Sequence, residues 1–408
     1  MFRFILSKII LLLVNLGLYN TKRVFICSYV SKNYGTTLLN YALSEKLKEL
    51  GYDPLTIRWG ASFHRTLGGR NDRLLDFWAS HVNKTKIVYT QKQLEEIMCR
   101  GNKIVFGGDT IFRTWFIKHE NNPLQILRYY GDFVSGRKTM VSYAPSFCTR
   151  SWDGDEYTAN ECRKLLKRFD RISIREKSGV ELLKKKFDVD STQVVDPVLF
   201  YGASFYERLI NKAADIEEHN NEYIAYMVLG EKDVSHIKEV SVPEGTEILD
   251  IRYDRGHEFN SVEQWLYNIK SAKLCITNSY HMLLFSIIFH KPFIYIPWHL
   301  SPDDARADDM LAITGLDRQK RKTFKDIKKE DFNTSIDWGA VDQKIKERVS
   351  ASEQFLKESL MIKPSYKAPY VNEVTNKIRI RYEKAYEYRL KEREYRNKIG
   401  EIVKELKS

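Results

Sequence analysis

The stretch LCITNSYHMLLFSIIFHKPFIYIP, residues 274–297, decides the fold. Its first four residues form a short apolar run that is typical of a buried strand, and the longer apolar run after Ser279 predicts a helix. Residues 293–296 predict the next buried strand. This order indicates an open parallel α/β sheet, in which ligands bind outside the carboxyl ends of the strands.

His281 falls in the first turn of that predicted helix. Backbone N–H groups there lack partners within the helix and the helix dipole is positive, so the position suits a phosphate or a carboxylate. Asn278, Ser279 and Tyr280 occupy the same strand end. We therefore predict a ligand site at residues 278–281, with a capped and packed core helix as the alternative.

The same alternation of strands and helices runs through the rest of the chain. Residues 23–29, a leucine-rich helix and residues 54–59 predict a β-α-β unit, and a polar stretch at residues 202–221 separates two such halves. We expect five segments: an apolar helix at 1–21, a first Rossmann-like domain at 22–205, a second at 221–340, a crossover helix at 341–362 and a charged helical tail at 363–408.

Composition limits the size, the compartment and the partners that we expect for this protein. With 408 residues and 43% hydrophobic residues, the chain has material for two cores. A net charge of +12 favours acidic partners, but no nucleic-acid reader motif accompanies it, so nucleic acid is not an expected partner. Five scattered cysteines indicate a reducing compartment. No clustered ligand set predicts a metal.

The two ends differ from the middle of the chain. The apolar stretch at the amino end is shorter than a membrane span, so we expect a helix in the membrane interface, with a buried domain helix as the alternative. The tail mixes Lys, Arg, Glu and Tyr. A long solvated helix is the first interpretation of that tail, and contact with an anionic membrane is the second.

Six motifs occur in a fixed order, and together they resemble one family. They are NYG at residues 33–35, GGDT at 107–110, SYAPS at 142–146, RISIREKSG at 171–179, VVDPVLF at 194–200 and TNSYHMLLFSIIFHKPFIYI at 277–296. In this order and spacing they resemble the polysaccharide pyruvyl transferases, over about residues 22–360.

The resemblance implies a GT-B-like pair of Rossmann-type domains with a cleft between them. It also implies transfer of a pyruvyl ketal from phosphoenolpyruvate to two hydroxyls of a sugar, in a surface polysaccharide or a lipid-linked glycan precursor, without a further cofactor. Such an enzyme would work in the cytoplasm, at the inner face of the cytoplasmic membrane. The alternatives are a nucleotide-sugar glycosyltransferase on the same scaffold and a non-catalytic glycan-binding scaffold.

The resemblance also assigns roles on the donor side. His281 matches the histidine of the TNSYH-type motif and would donate or relay the proton; packing or capping is its alternative role. Arg175 would grip carboxylate or phosphate through two hydrogen bonds, with a salt bridge to Glu176 or Asp196 as the alternative. Arg306 would form the second cationic clamp.

On the acceptor side, Asn33, Tyr34 and Gly35 form a loop that leads into a helix and would contact the sugar. Gly108 allows a close approach of the backbone, and Asp109 would orient an acceptor hydroxyl or cap the following segment. The GGDT motif departs from the GSD form common in the family, which leaves the acceptor contacts open.

Overall fold

A computed structural model describes residues 22–30, 33–59, 73–113, 124–230, 245–252, 260–297 and 304–405, with positions 5, 8, 9, 12, 13 and 242. The helix expected at residues 1–21 therefore lies almost wholly outside the described residues. Among the described residues, no helix has the length and hydropathy needed to cross a membrane.

The first unit is built on a parallel sheet with the strand order β3-β2-β1-β4-β5-β6-β7. Its strands are β1 (Arg23–Cys27), β2 (Asp53–Trp59), β3 (Lys84–Val88), β4 (Lys103–Gly107), β5 (Gly136–Tyr143), β6 (Arg171–Ile174) and β7 (Thr192–Gln193). Residues 24–27 of the central β1 are wholly buried, as an apolar strand covered on both faces should be.

Helices connect these strands. They are α1 (Tyr34–Glu49), α2 (Arg73–His81), α3 (Gln91–Met98), α4 (Leu124–Tyr129), α5 (Glu156–Leu166), α6 (Lys177–Phe187) and α7 (Ala203–Ile210). The Asn33 side chain caps α1 by accepting a hydrogen bond from the Thr36 N–H at 3.2 Å.

The second unit has a smaller parallel sheet with the order β11-β10-β8-β9. It contains β8 (Tyr223–Met227), β9 (Glu247–Asp250), α8 (Val262–Ser271), β10 (Leu274–Thr277), α9 (Tyr280–Ile288), β11 (Phe293–Tyr295) and α10 (Ala305–Thr314). Helix α9 follows β10 as the sequence predicted, and every residue of α9 is buried.

The chain then returns to the first unit. Helix α11 (Trp338–Met361) packs Leu356 and Leu360 against β1 and β5, and β12 (Ser365–Lys367) pairs antiparallel with β5. The sequence analysis did not predict β12. Helix α12 (Glu373–Glu405) ends the described chain. Two parallel sheets joined by a returning helix confirm the predicted α/β, GT-B-like fold, while the domain boundaries stay predictions.

One apolar core joins the two units. Leu38 and Leu39 of α1 belong to the same buried cluster as Trp265 of α8 and Leu283 of α9. Because an interdomain interface of this kind is apolar, it resists free rotation of one unit against the other.

Candidate active site

The end of β10 fixes the start of α9 through short-range hydrogen bonds. The Thr277 hydroxyl oxygen accepts from the Ser279 N–H at 2.8 Å, and the Ser279 hydroxyl oxygen accepts from the Met282 N–H at 3.4 Å. Ser279 is thus the N-cap of α9. His281 lies in the first turn of the helix, which confirms its predicted position.

Asn278 braces the neighbouring strand end. Its amide nitrogen donates to the Leu229 carbonyl at 2.9 Å, and its amide oxygen accepts from the Leu229 N–H at 2.8 Å. Both ends of the side chain are therefore used in holding the segments after β8 and β10 together. Any contact of Asn278 with substrate would have to replace these bonds.

His281 faces the first unit with both ring nitrogens. Its Nε2 lies 3.5 Å from Oδ2 of Asp196, a contact longer than a good hydrogen bond. On the other side of the ring, a Cβ added to Gly35 would lie 2.0 Å from Nδ1. The imidazole side chain is only 8% exposed. Gly35 thus makes the space that the imidazole occupies.

Asp196 is the carboxylate that holds this cluster together. It is fully buried, its Oδ1 accepts from the Val198 N–H at 3.0 Å, and its Oδ2 lies 2.9 Å from Nη1 of Arg175. Burial raises the pKa of Asp196, but the charge of Arg175 and the contact with His281 outweigh burial and hold the pKa below its usual value. The same oxygen, Oδ2, therefore lies close to both Arg175 and His281.

Arg175 is held between Asp196 and a backbone carbonyl. Its Nη2 donates to the Ala144 carbonyl at 3.2 Å, and its guanidinium lies 5.1 Å from the centre of the Tyr280 ring. Burial lowers the pKa of Arg175, but the charge of Asp196 more than compensates, so the pKa is raised. The ion pair with Asp196 is the structural alternative that the sequence analysis left open, and it does not exclude a second role in binding.

Arg306, in the first turn of α10, bridges the two units. Its Nε donates to Oδ1 of Asp304 at 3.1 Å, and its Nη1 lies 3.7 Å from Oδ1 of Asp109. Its guanidinium lies 5.1 Å from the Tyr280 ring centre, so the ring has a guanidinium group near it from each unit. The Tyr280 hydroxyl is buried and has no hydrogen-bond partner among the described residues.

The first turn of α1 packs against the second unit. Tyr34 stacks on Trp265 with ring centres 4.8 Å apart, and its hydroxyl donates to the Asn260 carbonyl at 3.0 Å. The Thr36 hydroxyl donates to Oδ2 of Asp109 at 2.8 Å. Asp109 itself has a φ of 50°, in the left-handed region that aspartate adopts more readily than most residues. The predicted acceptor residues therefore meet the donor residues at the unit boundary.

Four helix N-termini meet at this cluster. Helices α1 and α9 meet where Gly35 touches His281, and the N–H of Lys177 at the start of α6 donates to Asp309 of α10. Aligned N-termini give a positive potential that favours anions. A cavity of about 40 Å³ lies beside the cluster, lined by residues that include Arg175, Gln193, Tyr280, Arg306, Asp309 and Arg348. That volume holds about one water molecule.

Sequence reasoning named Asp196 and Glu176 only as alternative salt-bridge partners of Arg175, and it missed Asp304. Asp196 pairs with Arg175 and Asp304 with Arg306, while the fully buried Glu176 accepts from the Phe147 N–H at 2.7 Å. Burial raises the pKa of Glu176. The VVDP and SIRE motifs contained Asp196 and Glu176, but neither motif tells which cation an acid will meet. Among the described residues, no cluster of His, Cys, Asp and Glu could hold a metal ion.

Residues 33–299 match the family model of polysaccharide pyruvyl transferases. The chain belongs to the polysaccharide pyruvyl transferase family. This is a transferase family of polysaccharide biosynthesis, and the match includes Asn33, Asp196 and His281 but ends before Arg306. No curated protein matches the chain.

Several solved glycosyltransferases have a distantly similar fold. UGT89C1 of Arabidopsis thaliana, complexed with UDP-L-rhamnose, has a TM-score of 0.48 and 8% identity over 83% of this chain and 99% of its own. SnogD of Streptomyces nogalater has a TM-score of 0.43 and 10% identity over 83% and 100%. A variant of the wall teichoic acid polymerase TagF has a TM-score of 0.37 and 11% identity over 95% and 93%. These similarities are too distant to bear on function.

Replacing Gly35 with alanine should disturb His281 directly. The new methyl group would lie 2.0 Å from Nδ1 and 2.2 Å from Cγ of the imidazole, so either the ring or the first turn of α1 has to move. We expect a loss of about 1–3 kcal/mol in the free energy of unfolding, as for other overpacked sites, together with loss of transferase activity. Chemical denaturation and activity assays measure both effects.

Gly339→Ala is the matched control, because Gly339 is also the second residue of a helix and its added Cβ would meet no atom closer than 3.4 Å. Equal behaviour of the two variants would show that His281 does not depend on the space at Gly35.

Asp196→Asn should destabilise the protein and flatten its response to acid. Since the folded pKa of Asp196 lies below the unfolded value of about 3.9, its stabilising effect is present above that pH and is lost as the pH falls through the folded pKa. At neutral pH the variant leaves Arg175 buried without its partner, which costs about 3–5 kcal/mol. Denaturation curves from neutral to acidic pH measure both effects.

Asp188→Asn is the control for this experiment, since Asp188 pairs with Lys167 on the surface, where both side chains are at least half-exposed. A surface pair contributes little to stability. Equal acid responses of the parent and the Asp196 variant would contradict the assignment.

Proposed function

We propose that this protein transfers a pyruvyl ketal from phosphoenolpyruvate to two hydroxyls of a sugar. Membership of the pyruvyl transferase family supports the reaction class. The observation that carries the proposal is the buried cluster of His281, Asp196 and Arg175. His281 comes from the second unit, and Asp196 and Arg175 come from the first. A possible acid and a cation beside helix N-termini suit an anionic, acid-activated donor.

The reaction needs one proton delivered to carbon. Protonation of the methylene carbon of phosphoenolpyruvate makes its neighbouring carbon electrophilic, and the first sugar hydroxyl adds there while losing its own proton. The second hydroxyl then displaces phosphate, which takes the remaining proton, and closes the ketal ring. We assign the first proton transfer to His281, with Asp196 orienting the imidazole and Arg175 and Arg306 binding carboxylate and phosphate.

Among the described residues, little space remains beside His281. Both nitrogens of His281 face the protein, and the adjoining cavity holds about one water molecule. We infer that the first turn of α1 moves, which requires Tyr34 to leave its stacking contact with Trp265. Separation of Gly35 from His281 would free Nδ1 and open the space that the donor needs.

Family membership also points to a glycan as the acceptor. We propose a surface polysaccharide or a lipid-linked glycan precursor, bound on the side of Asn33, Gly108 and Asp109. The basic and apolar ends of the chain suit an enzyme located at the inner face of the cytoplasmic membrane. A nucleotide-sugar glycosyltransferase remains the alternative that the experiment below must exclude.

Titration calorimetry with phosphoenolpyruvate tests the donor without knowledge of the acceptor. We expect saturable binding that Arg175→Lys weakens at least about tenfold, because lysine cannot make the two parallel hydrogen bonds of a guanidinium. Arg171→Lys, at the other end of β6 and 40% exposed, is the matched control. Binding of UDP-sugars without phosphoenolpyruvate would favour glycosyl transfer, and binding of neither would favour the scaffold.

Release of phosphate from phosphoenolpyruvate in the presence of a membrane glycan fraction tests the role of His281 as the general acid. We expect His281→Asn to retain binding of phosphoenolpyruvate but to lose about 10²–10⁴-fold in turnover, as for removal of a general acid. His290→Asn is the control: His290 is 45% exposed and has a φ of 53°, which asparagine tolerates. Full turnover in His281→Asn would remove His281 from the mechanism.

A further inference from the structure

Different types of side chain occupy different faces of helix α12. Seven residues span nearly two turns, so residues seven apart lie along one line of a helix. One such line holds Lys377, Lys384, Lys391 and Lys398, and it ends in Glu405. All four lysines are exposed. The regular spacing therefore gives the helix a continuous basic edge.

The line beside the lysines is largely apolar. Tyr388 and Tyr395 are seven residues apart, and Ile399 follows one turn later. Their exposed fractions are 72%, 64% and 60%, so most of their surface meets solvent. Arg381 extends the same line toward the start of the helix. Tyrosine and isoleucine thus share one exposed face with the basic edge.

Glutamates lie on the far side of the lysine line. Glu387 and Glu394 each precede a lysine by four residues, and Glu394 and Lys398 are 3.0 Å apart with both side chains more than half-exposed. Such pairs support an isolated, solvated helix. They do not account for the exposed tyrosines and isoleucine. Glu392 differs from these glutamates, because it lies on the apolar face, seven residues before that isoleucine, and pairs there with Arg396 at 2.8 Å.

The amino end shows a second exposed apolar line. Ile5, Ile9 and Leu12 are helical, are spaced four and three residues apart, and have exposed fractions of 49%, 49% and 58%. This spacing places them on one side of a helix. Both ends of the described chain therefore present apolar side chains to solvent.

We propose that the Tyr388–Tyr395–Ile399 face of α12 and its lysine edge bind the surface of an anionic bilayer, with Ile5, Ile9 and Leu12 as a second contact. Apolar side chains would enter the interfacial region while the lysines meet the lipid phosphates. The inference rests on the membrane location proposed above, but it does not depend on the donor.

The start of α12 is fixed to the first unit, so this contact would orient the acceptor side. Oε1 of Glu383 accepts from the Gln91 N–H at 2.7 Å, and Asn372, just before the helix, donates to Glu161 of α5 at 3.0 Å. A bilayer bound by α12 would therefore hold the first unit at a defined distance from lipid-linked glycans.

Co-sedimentation of the full-length protein with vesicles tests the surface. We expect binding to phosphatidylcholine vesicles that contain phosphatidylglycerol, weaker binding to pure phosphatidylcholine, and loss of the difference at high salt. A double variant, Tyr388→Ser with Tyr395→Ser, and a charge variant, Lys384→Glu with Lys391→Glu, should each reduce the partition coefficient at least tenfold. The control is Lys346→Glu with Lys357→Glu, the same charge change on exposed positions of α11.

Three results would overturn the proposal: no preference for anionic vesicles, binding by both α12 variants equal to that of the parent, or binding to a soluble acidic polysaccharide with none to vesicles. Circular dichroism establishes that the variants keep their helix. Vesicle binding by a protein that fails to bind phosphoenolpyruvate would support this inference while removing the proposed donor.

Discussion

The site depends on one buried carboxylate that faces side chains from two parts of the fold, Arg175 after β6 and His281 in α9. Asp196 is fully buried, and its Oδ2 lies 2.9 Å from Arg175 and 3.5 Å from His281. A charge in that position is stable only with close opposite charge and hydrogen bonds, so the segment that carries it cannot drift from β6 or α9 without a large cost. Asp196 thereby makes the placement of Arg175 and His281 a condition of folding.

The same packing leaves little space beside His281 among the described residues. The first turn of α1 fills the space in front of His281, because Gly35 contributes no side chain and Tyr34 is buried against Trp265. A donor has to replace these contacts with its own. Contacts made by the turn in the free protein therefore compete with substrate, and their loss on binding would lower the apparent affinity.

Sequence patterns predicted those parts of the site that depend only on residues close together in the chain. Apolar run lengths and the Ser279 cap place His281 in the first turn of α9, and the order of motifs indicates the family. The contact between His281 and Asp196 was beyond local reasoning. Asp196 lies 85 residues before His281, and β12 is a three-residue strand that forms only because β5 offers it an edge. Tyr34 has the residue type of a sugar contact, and only packing places it on Trp265.

Charge in the cluster constrains how an anion can bind. Arg175 and Arg306 face three carboxylates, those of Asp109, Asp196 and Asp304, so these five side chains carry one net negative charge. Helix N-termini offset part of it, but the phosphate and carboxylate of phosphoenolpyruvate would add several more negative charges. A donor that binds here therefore has to take hydrogen bonds of Arg175 or Arg306 away from these carboxylates.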